Sequence, residues 1–196
     1  MGYLRSKRDG RKHMAKVIVG MTTSLDGFVA DEQGDAGPLY PDLAELQGTD
    51  YMNALIDATG AVLMGRRTFE MGDPDSYVGS YEFQVPIFVV THEPPPVPPK
   101  QDEHLTFTFV TDGIESAVAQ ATAAAGDKQV QVVGGVDLSR QLLLAGLADE
   151  LHIDVMPVLL GTGRRFFDQG LDGIQLEKIE VTEQGKRTGL RFRVRN

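Results

Sequence analysis

The stretch AVLMGRRTFE, residues 61–70, decides the fold. Ala61 to Met64 is a short, wholly apolar run, which reads as a buried strand. Gly65 ends it, and Arg66, Arg67 and Thr68 open a helix. A strand running straight into a helix is the first half of a parallel crossover. Cations at a helix start are unfavourable, because the N-terminal end of the helix dipole prefers acids. In a chain of formal charge −9, two arginines there are either solvated or turned toward an anion.

Working outward, the same alternation recurs. KVIVGMT (16–22) is a first strand, and SLDGFVADEQGDAG after it is a loop. Residues 49–58 place Tyr51, Met52, Leu55 and Ile56 at helical spacing, with Gly60 as the stop. VPIFVV (85–90) and TFTFV (106–110) are strands. EPPPVPPK (93–100) between them is an extended surface loop, since five prolines make neither helix nor ladder. Its PxxP spacing suits an SH3-like partner or simply a rigid connector.

TDGIESAVAQATAAAG is a helix in which Asp112 and Glu115 form a capping box and Gly126 is the stop. VQVVGG (130–135) is a strand, DLSRQLLLAG a short helix and DELHIDVMPVLLG (149–161) a sixth strand. IQLEKIEVTE and RTGLRFRVRN alternate strictly about a Gln184-Gly185-Lys186 turn, giving an antiparallel hairpin. About eight strands and four helices therefore make a mixed α/β sheet with helices on both faces.

Composition bounds the rest. The chain has 196 residues, 41% hydrophobic and 24% charged, as expected of one globular domain, here 14–196. It has no Cys, which excludes a disulfide scaffold or cysteine zinc site and suits the cytoplasm. No apolar run reaches the roughly 20 residues of a membrane-spanning helix. The acidic balance argues against a nucleic-acid surface. Residues 1–13 differ, with Arg5, Lys7, Arg8, Arg11 and Lys12 against Asp9. They read as a disordered basic leader or an extension ahead of Met14, not as a signal peptide.

In open α/β sheets ligands bind beyond the carboxyl ends of the strands. Two such ends have anion-friendly chemistry. At LMGRRTFE, Gly65 admits a close backbone approach, Thr68 offers a hydroxyl, and Arg66 or Arg67 offers a guanidinium fork. At VVGGVDLS, Gly134 and Gly135 precede another helix. Thr91-His92 adds a small polar pair at a third strand end. There is neither a GxGxxG fingerprint nor a P-loop. His13, His92, His104 and His152 lack metal spacing. Gly161-Thr162-Gly163 with Arg164-Arg165 reads as a loop with solvated arginines or a further anion site, with Phe166-Phe167 packing on the core or on a partner subunit.

Taken in order, KVIVGMTTSLDGFVAD, AVLMGRRTFE, PIFVVTH, VQVVGGVDL and GLADELHIDVMPVLLGTGRRFFD resemble the dihydrofolate-reductase-like superfamily. The chain is most similar to the reductase half of the bacterial riboflavin-biosynthesis deaminase–reductase, the RibD C-terminal-domain family, in a small stand-alone form. The resemblance implies a three-layer fold with a central, mostly parallel eight-stranded sheet, flanking helices and a C-terminal antiparallel hairpin.

It also implies NADPH as cofactor and a homodimer. Gly65, Arg66, Arg67 and Thr68 would hold phosphates, with an arginine at the 2′-phosphate. Thr91 and His92 would lie near that phosphate and the adenine. Gly134 and Gly135 would lie by the nicotinamide and pyrophosphate, with Val136, Asp137 and Leu138 opening the next helix. Ser24, Leu25, Asp26 and Gly27 would line the substrate pocket. The acid with which folate reductases bind the pterin has only Asp42 as counterpart, in PLYPDLAEL, without the accompanying Trp.

The expected chemistry is hydride transfer to a C=N or C=O of a small heterocycle or carbonyl compound, as in 5-amino-6-(5-phosphoribosylamino)uracil reductase. Asp26 is the expected proton donor or substrate orienter, with water as the other proton source. A folate or pterin reductase, or a non-catalytic nucleotide-binding or regulatory homodimer on the same fold, is the alternative.

Overall fold

The computed structural model describes residues 15–168 and 170–195, so the basic leader lies outside the described residues. The strands are β1 (Val17–Ser24), β2 (Phe28–Ala30), β3 (Thr59–Gly65), β4 (Ile87–Val90), β5 (Phe107–Val110), β6 (Gln129–Val132), β7 (Glu150–Met156), β8 (Arg164–Arg165), β9 (Gln175–Gln184) and β10 (Arg187–Arg195). The helices are α1 (Leu43–Leu46), α2 (Asp50–Ala58), α3 (Arg66–Phe69), α4 (Tyr77–Ser80), α5 (Ile114–Ala125) and α6 (Val136–Leu144).

Eight strands form one sheet in the order β5-β4-β3-β6-β1-β7-β10-β9. The six strands from β5 to β7 pair in parallel. β10 and β9 follow antiparallel. This is the mixed sheet and terminal hairpin expected from the sequence, in a dihydrofolate-reductase-like fold.

The period of two along β3 explains the layering. Ala61 and Leu63 enter a core shared with Ala117 and Ala121 of α5 and Leu138 and Leu142 of α6. Val62 and Met64 enter a second core with Phe69, Phe83, Ile87 and Leu105. Alternate side chains of a strand face opposite sides, so a fully apolar strand needs cover on both. Among the described residues no helix is long and apolar enough to cross a membrane.

Four local readings change. The helix after Gly65 is a single turn, so its dipole is small and adds little to anion binding. Gly60 does not stop α2, which runs directly into β3. A Cβ at Gly60 would lie 2.5 Å from the Ala125 carbonyl oxygen, so this glycine serves close packing of β3 against the end of α5. α5 begins at Gly113 without a side-chain cap, so Asp112 and Glu115 make no capping box there. Finally, β2 and β8 pair across segments read as loops. At two and three residues they are too short for a periodic signal.

Candidate active site

β3 and β6 are neighbours, so their carboxyl ends meet. The Gly65 amide donates to the Gly134 carbonyl at 2.9 Å. The Gly134–Gly135 peptide is cis, and Gly134 has φ of 118°. A Cβ at Gly134 would lie 3.2 Å from Thr68 Oγ1, one at Gly135 3.5 Å from the same oxygen, and one at Gly65 3.4 Å from the Gly135 amide nitrogen. Gly65, Thr68, Gly134 and Gly135, picked separately from the sequence, thus form one cradle lined by backbone and a hydroxyl.

α6 begins at this cradle with nine residues, long enough for its unpaired first amides and dipole to favour an anion. Val136 and Leu138 are buried in the core, which leaves only their backbone to face a ligand. Asp137 is exposed. Arg164 Nη2 donates to its Oδ2 at 2.6 Å, and Arg67 Nη1 lies 4.0 Å from the same oxygen. In the sequence Arg164 reads as part of a distant loop, and the β2–β8 pairing brings it here.

Arg66 faces the other way. It lines a cleft of about 270 Å³ between α3, the end of β4 and the proline loop, with Glu70, Thr91, Glu93 and Pro94 on the walls. Arg66 Nε donates to Glu70 Oε1 at 2.7 Å. The Thr91 hydroxyl is taken up locally, donating to the Glu93 carbonyl at 2.7 Å and accepting from the Glu93 amide at 3.2 Å. His92 is exposed at the start of the loop.

The turn after β1 serves itself. Ser24 is buried, donates to Asp26 Oδ1 at 2.6 Å and accepts from the Phe28 amide at 2.9 Å. Gly27 closes the turn with φ of 86°. Leu25 is tied by its amide to the Val158 carbonyl at 2.9 Å while its side chain is exposed.

Asp26 also accepts from the Leu160 amide at 3.2 Å and the Gly161 amide at 2.7 Å. The Ser24 hydroxyl, with those amides, holds its carboxyl down at about 2, since hydrogen bonds to the charged form stabilise it. Asp26 is thereby held in its charged form, with both carboxyl oxygens engaged. It staples the turn to the loop after β7.

Sequence reading missed a polar cluster on the other side of β1. Thr22 pairs in register with Asp154. Asp154 accepts from Tyr51 Oη at 2.8 Å and lies 2.8 Å from Arg191 Nη1. Arg191 Nη2 donates to Tyr51 Oη at 2.9 Å. Burial, with Asp154 next, pushes the Tyr51 hydroxyl up to about 12, so it stays protonated. Beside it, Arg187 forks onto Asp42 at 2.8 and 2.7 Å and reaches Thr22 Oγ1 at 3.0 Å. Asp42 is thereby buried and committed, and it is not a free carboxylate for a pterin. The signal available for this cluster was the alternation of ELHIDVM and RTGLRFRVR, whose polar residues share one face.

The chain is similar in sequence and in fold to known proteins. The uncharacterized protein YwjB of Bacillus subtilis (strain 168) is 29% identical over 169 residues, covering 86% of this chain and 91% of YwjB. A solved structure from Shewanella sp. PV-4, assigned to riboflavin biosynthesis, superposes with a TM-score of 0.72 at 24% identity, covering 92% of this chain and 99% of that one. A diaminohydroxyphosphoribosylaminopyrimidine deaminase/5-amino-6-(5-phosphoribosylamino)uracil reductase from Thermotoga maritima superposes with a TM-score of 0.66 at 16% identity, over 92% of this chain and 56% of that one. The family described as RibD C-terminal domain matches residues 15–190, nearly the whole described length, and this chain belongs to it.

Proposed function

We propose that residues 14–196 form a single-domain NADPH-dependent reductase of a small heterocyclic or carbonyl substrate, in the manner of 5-amino-6-(5-phosphoribosylamino)uracil reductase. The carrying observation is the cradle of Gly65, Thr68, Gly134 and Gly135, where two stretches of backbone and one hydroxyl come together at the strand ends beside the start of α6. When bound, the reduced nicotinamide would supply a hydride to a C=N or C=O. The chain's part is to hold and orient. The cradle and the first amides of α6 would take the pyrophosphate region, with Arg67 and Arg164 offsetting Asp137. Arg66, in the cleft by Thr91, would read the 2′-phosphate. With the Asp26 carboxyl fastened by Ser24, Leu160 and Gly161, water is the proton source in this reading. The commitment of Asp42 to Arg187 favours a non-folate substrate.

The reading is tested by titrating purified protein with NADPH and NADH, following nicotinamide fluorescence. Arg66→Ala should weaken NADPH by roughly 1–3 kcal/mol, the range of a charge-assisted contact, and leave NADH nearly unchanged. Equal losses would remove the 2′-phosphate assignment. Tight binding without oxidation across pyrimidine, pterin and carbonyl compounds would favour the non-catalytic alternative.

The homodimer reading has one observation behind it. β9 is an edge strand, and Leu176, Ile179 and Val181 on it are exposed. A ten-residue edge strand with exposed apolar side chains among its charges is a surface on which a second copy could pack. Val181→Asp should shift the species from dimer to monomer in analytical ultracentrifugation, and a wild-type monomer at high concentration would refute it.

A further inference from the structure

Arg66 and Arg67 are adjacent in sequence and have different company. Arg67 lies near Asp137 at the start of α6. Arg66 lines the cleft beside the proline loop, and of the described side chains lining it Arg66 is the one cation. It is already engaged, because Glu70 one turn later accepts from its Nε at 2.7 Å. Glu93 lines the same cleft from the loop. One guanidinium thus stands with two carboxylates.

We propose that Glu70 is a specificity-determining residue: as the internal counter-ion of Arg66, it makes the chain separate NADPH from NADH only weakly. This rests on the dinucleotide reading above and deepens it. A 2′-phosphate needs the guanidinium fork. Glu70 holds the Nε–H, so the phosphate takes the remaining Nη edge or displaces the carboxylate. Either way it comes to lie beside like charge.

The rest of the cleft does little to compensate. Pro94, Pro95 and Pro96 form one wall, and proline has no amide to donate. The Thr91 hydroxyl is bound into the Glu93 turn. A ribose 2′-hydroxyl has the opposite requirement. It can donate to a carboxylate, which is how an acidic side chain marks a site for the unphosphorylated dinucleotide.

The test is fluorescence titration of NADPH and NADH against wild type, Glu70→Gln, and Glu70→Gln combined with Arg66→Ala. Wild type should bind the two with affinities within about tenfold of each other, the reach of one partly offset charge contact. Glu70→Gln should raise the NADPH-to-NADH affinity ratio by about fivefold, the scale of one exposed ion pair. Adding Arg66→Ala should remove the gain. Glutamine keeps the length and polarity of the side chain on an exposed turn, so folding is preserved.

An unchanged or lowered ratio in Glu70→Gln, with both nucleotides binding wild type, overturns this inference and leaves the dinucleotide reading standing. A wild-type preference for NADPH beyond a hundredfold also overturns it. Failure of wild type to bind either nucleotide refutes the dinucleotide reading, and the role of Glu70 falls with it.

Discussion

Arg187→Met is expected to destabilise the fold by about 3–5 kcal/mol in urea unfolding, the cost of leaving one member of a buried ion pair alone. Arg187 and Asp42 are both buried. The guanidinium makes two bonds to Asp42, a third to Thr22 Oγ1 and a fourth to the Leu39 carbonyl at 3.3 Å, and it lies 5.3 Å from the centre of the Tyr40 ring. Removing it strands a carboxylate away from water. Replacing both partners, Asp42→Leu with Arg187→Met, should recover most of the loss, because apolar residues can substitute for a buried pair. A single-variant loss below about 1 kcal/mol, the range of an exposed pair, would contradict this account.

The pH dependence has a defined sign. The bond from Arg187 holds the Asp42 carboxyl below its ordinary range, against the opposing effect of burial. A depressed carboxylate contributes stability that is complete above the unfolded value, about 4, and is lost as pH falls through the folded one. Wild type should therefore lose this contribution on acidification. Arg187→Met should show a flatter acid limb, having lost it already. The pair also clamps residues 39–42 to Thr22 near the end of β1.

Gly134→Val should weaken NADPH by roughly a hundredfold or more in calorimetric titration. Gly134 sits at φ of 118°, where a branched side chain is strained by about 1–3 kcal/mol. Its Cβ would also enter the cradle at 3.2 Å from Thr68 Oγ1. Strain and lost space both oppose ligand entry. Gly135→Ala separates the two. Gly135 has φ of −81°, which alanine adopts freely, and its Cβ would meet Thr68 Oγ1 at 3.5 Å. A loss of about tenfold there, with an unchanged unfolding midpoint, would report occupation of the cradle alone. Unaltered NADPH affinity in both variants would mean that the ligand does not use it.

The parts of this protein legible in its sequence are those set by local rules. β1, β3, β4, β5 and β6 are short apolar or β-branched runs, and burial on both faces demands such runs. Gly65, Gly134 and Gly135 were legible because glycine directly before a helix is the mark of close backbone approach.

The parts that were not legible depend on partners far away in the chain. Asp26 reads as a turn residue with spare acidity until Leu160 and Gly161, some 134 residues later, bring their amides to it. Asp42 reads as a free acid until Arg187 arrives from the other end of the chain. β2 and β8 exist only through each other, and they carry Arg164 to Asp137. The arginines of AVLMGRRTFE stand between these cases. Their place on a strand-to-helix junction was plain, and their separate companions, Glu70 and Asp137, were not.

The central claim is that a reduced nicotinamide dinucleotide lies across the ends of β3 and β6. A crystal structure of the protein grown with NADPH tests it most directly. The account predicts density for the pyrophosphate against Gly134, Gly135 and the start of α6, with the 2′-phosphate in the cleft at Arg66. Saturating NADPH with no density there, or density at another surface, would contradict it.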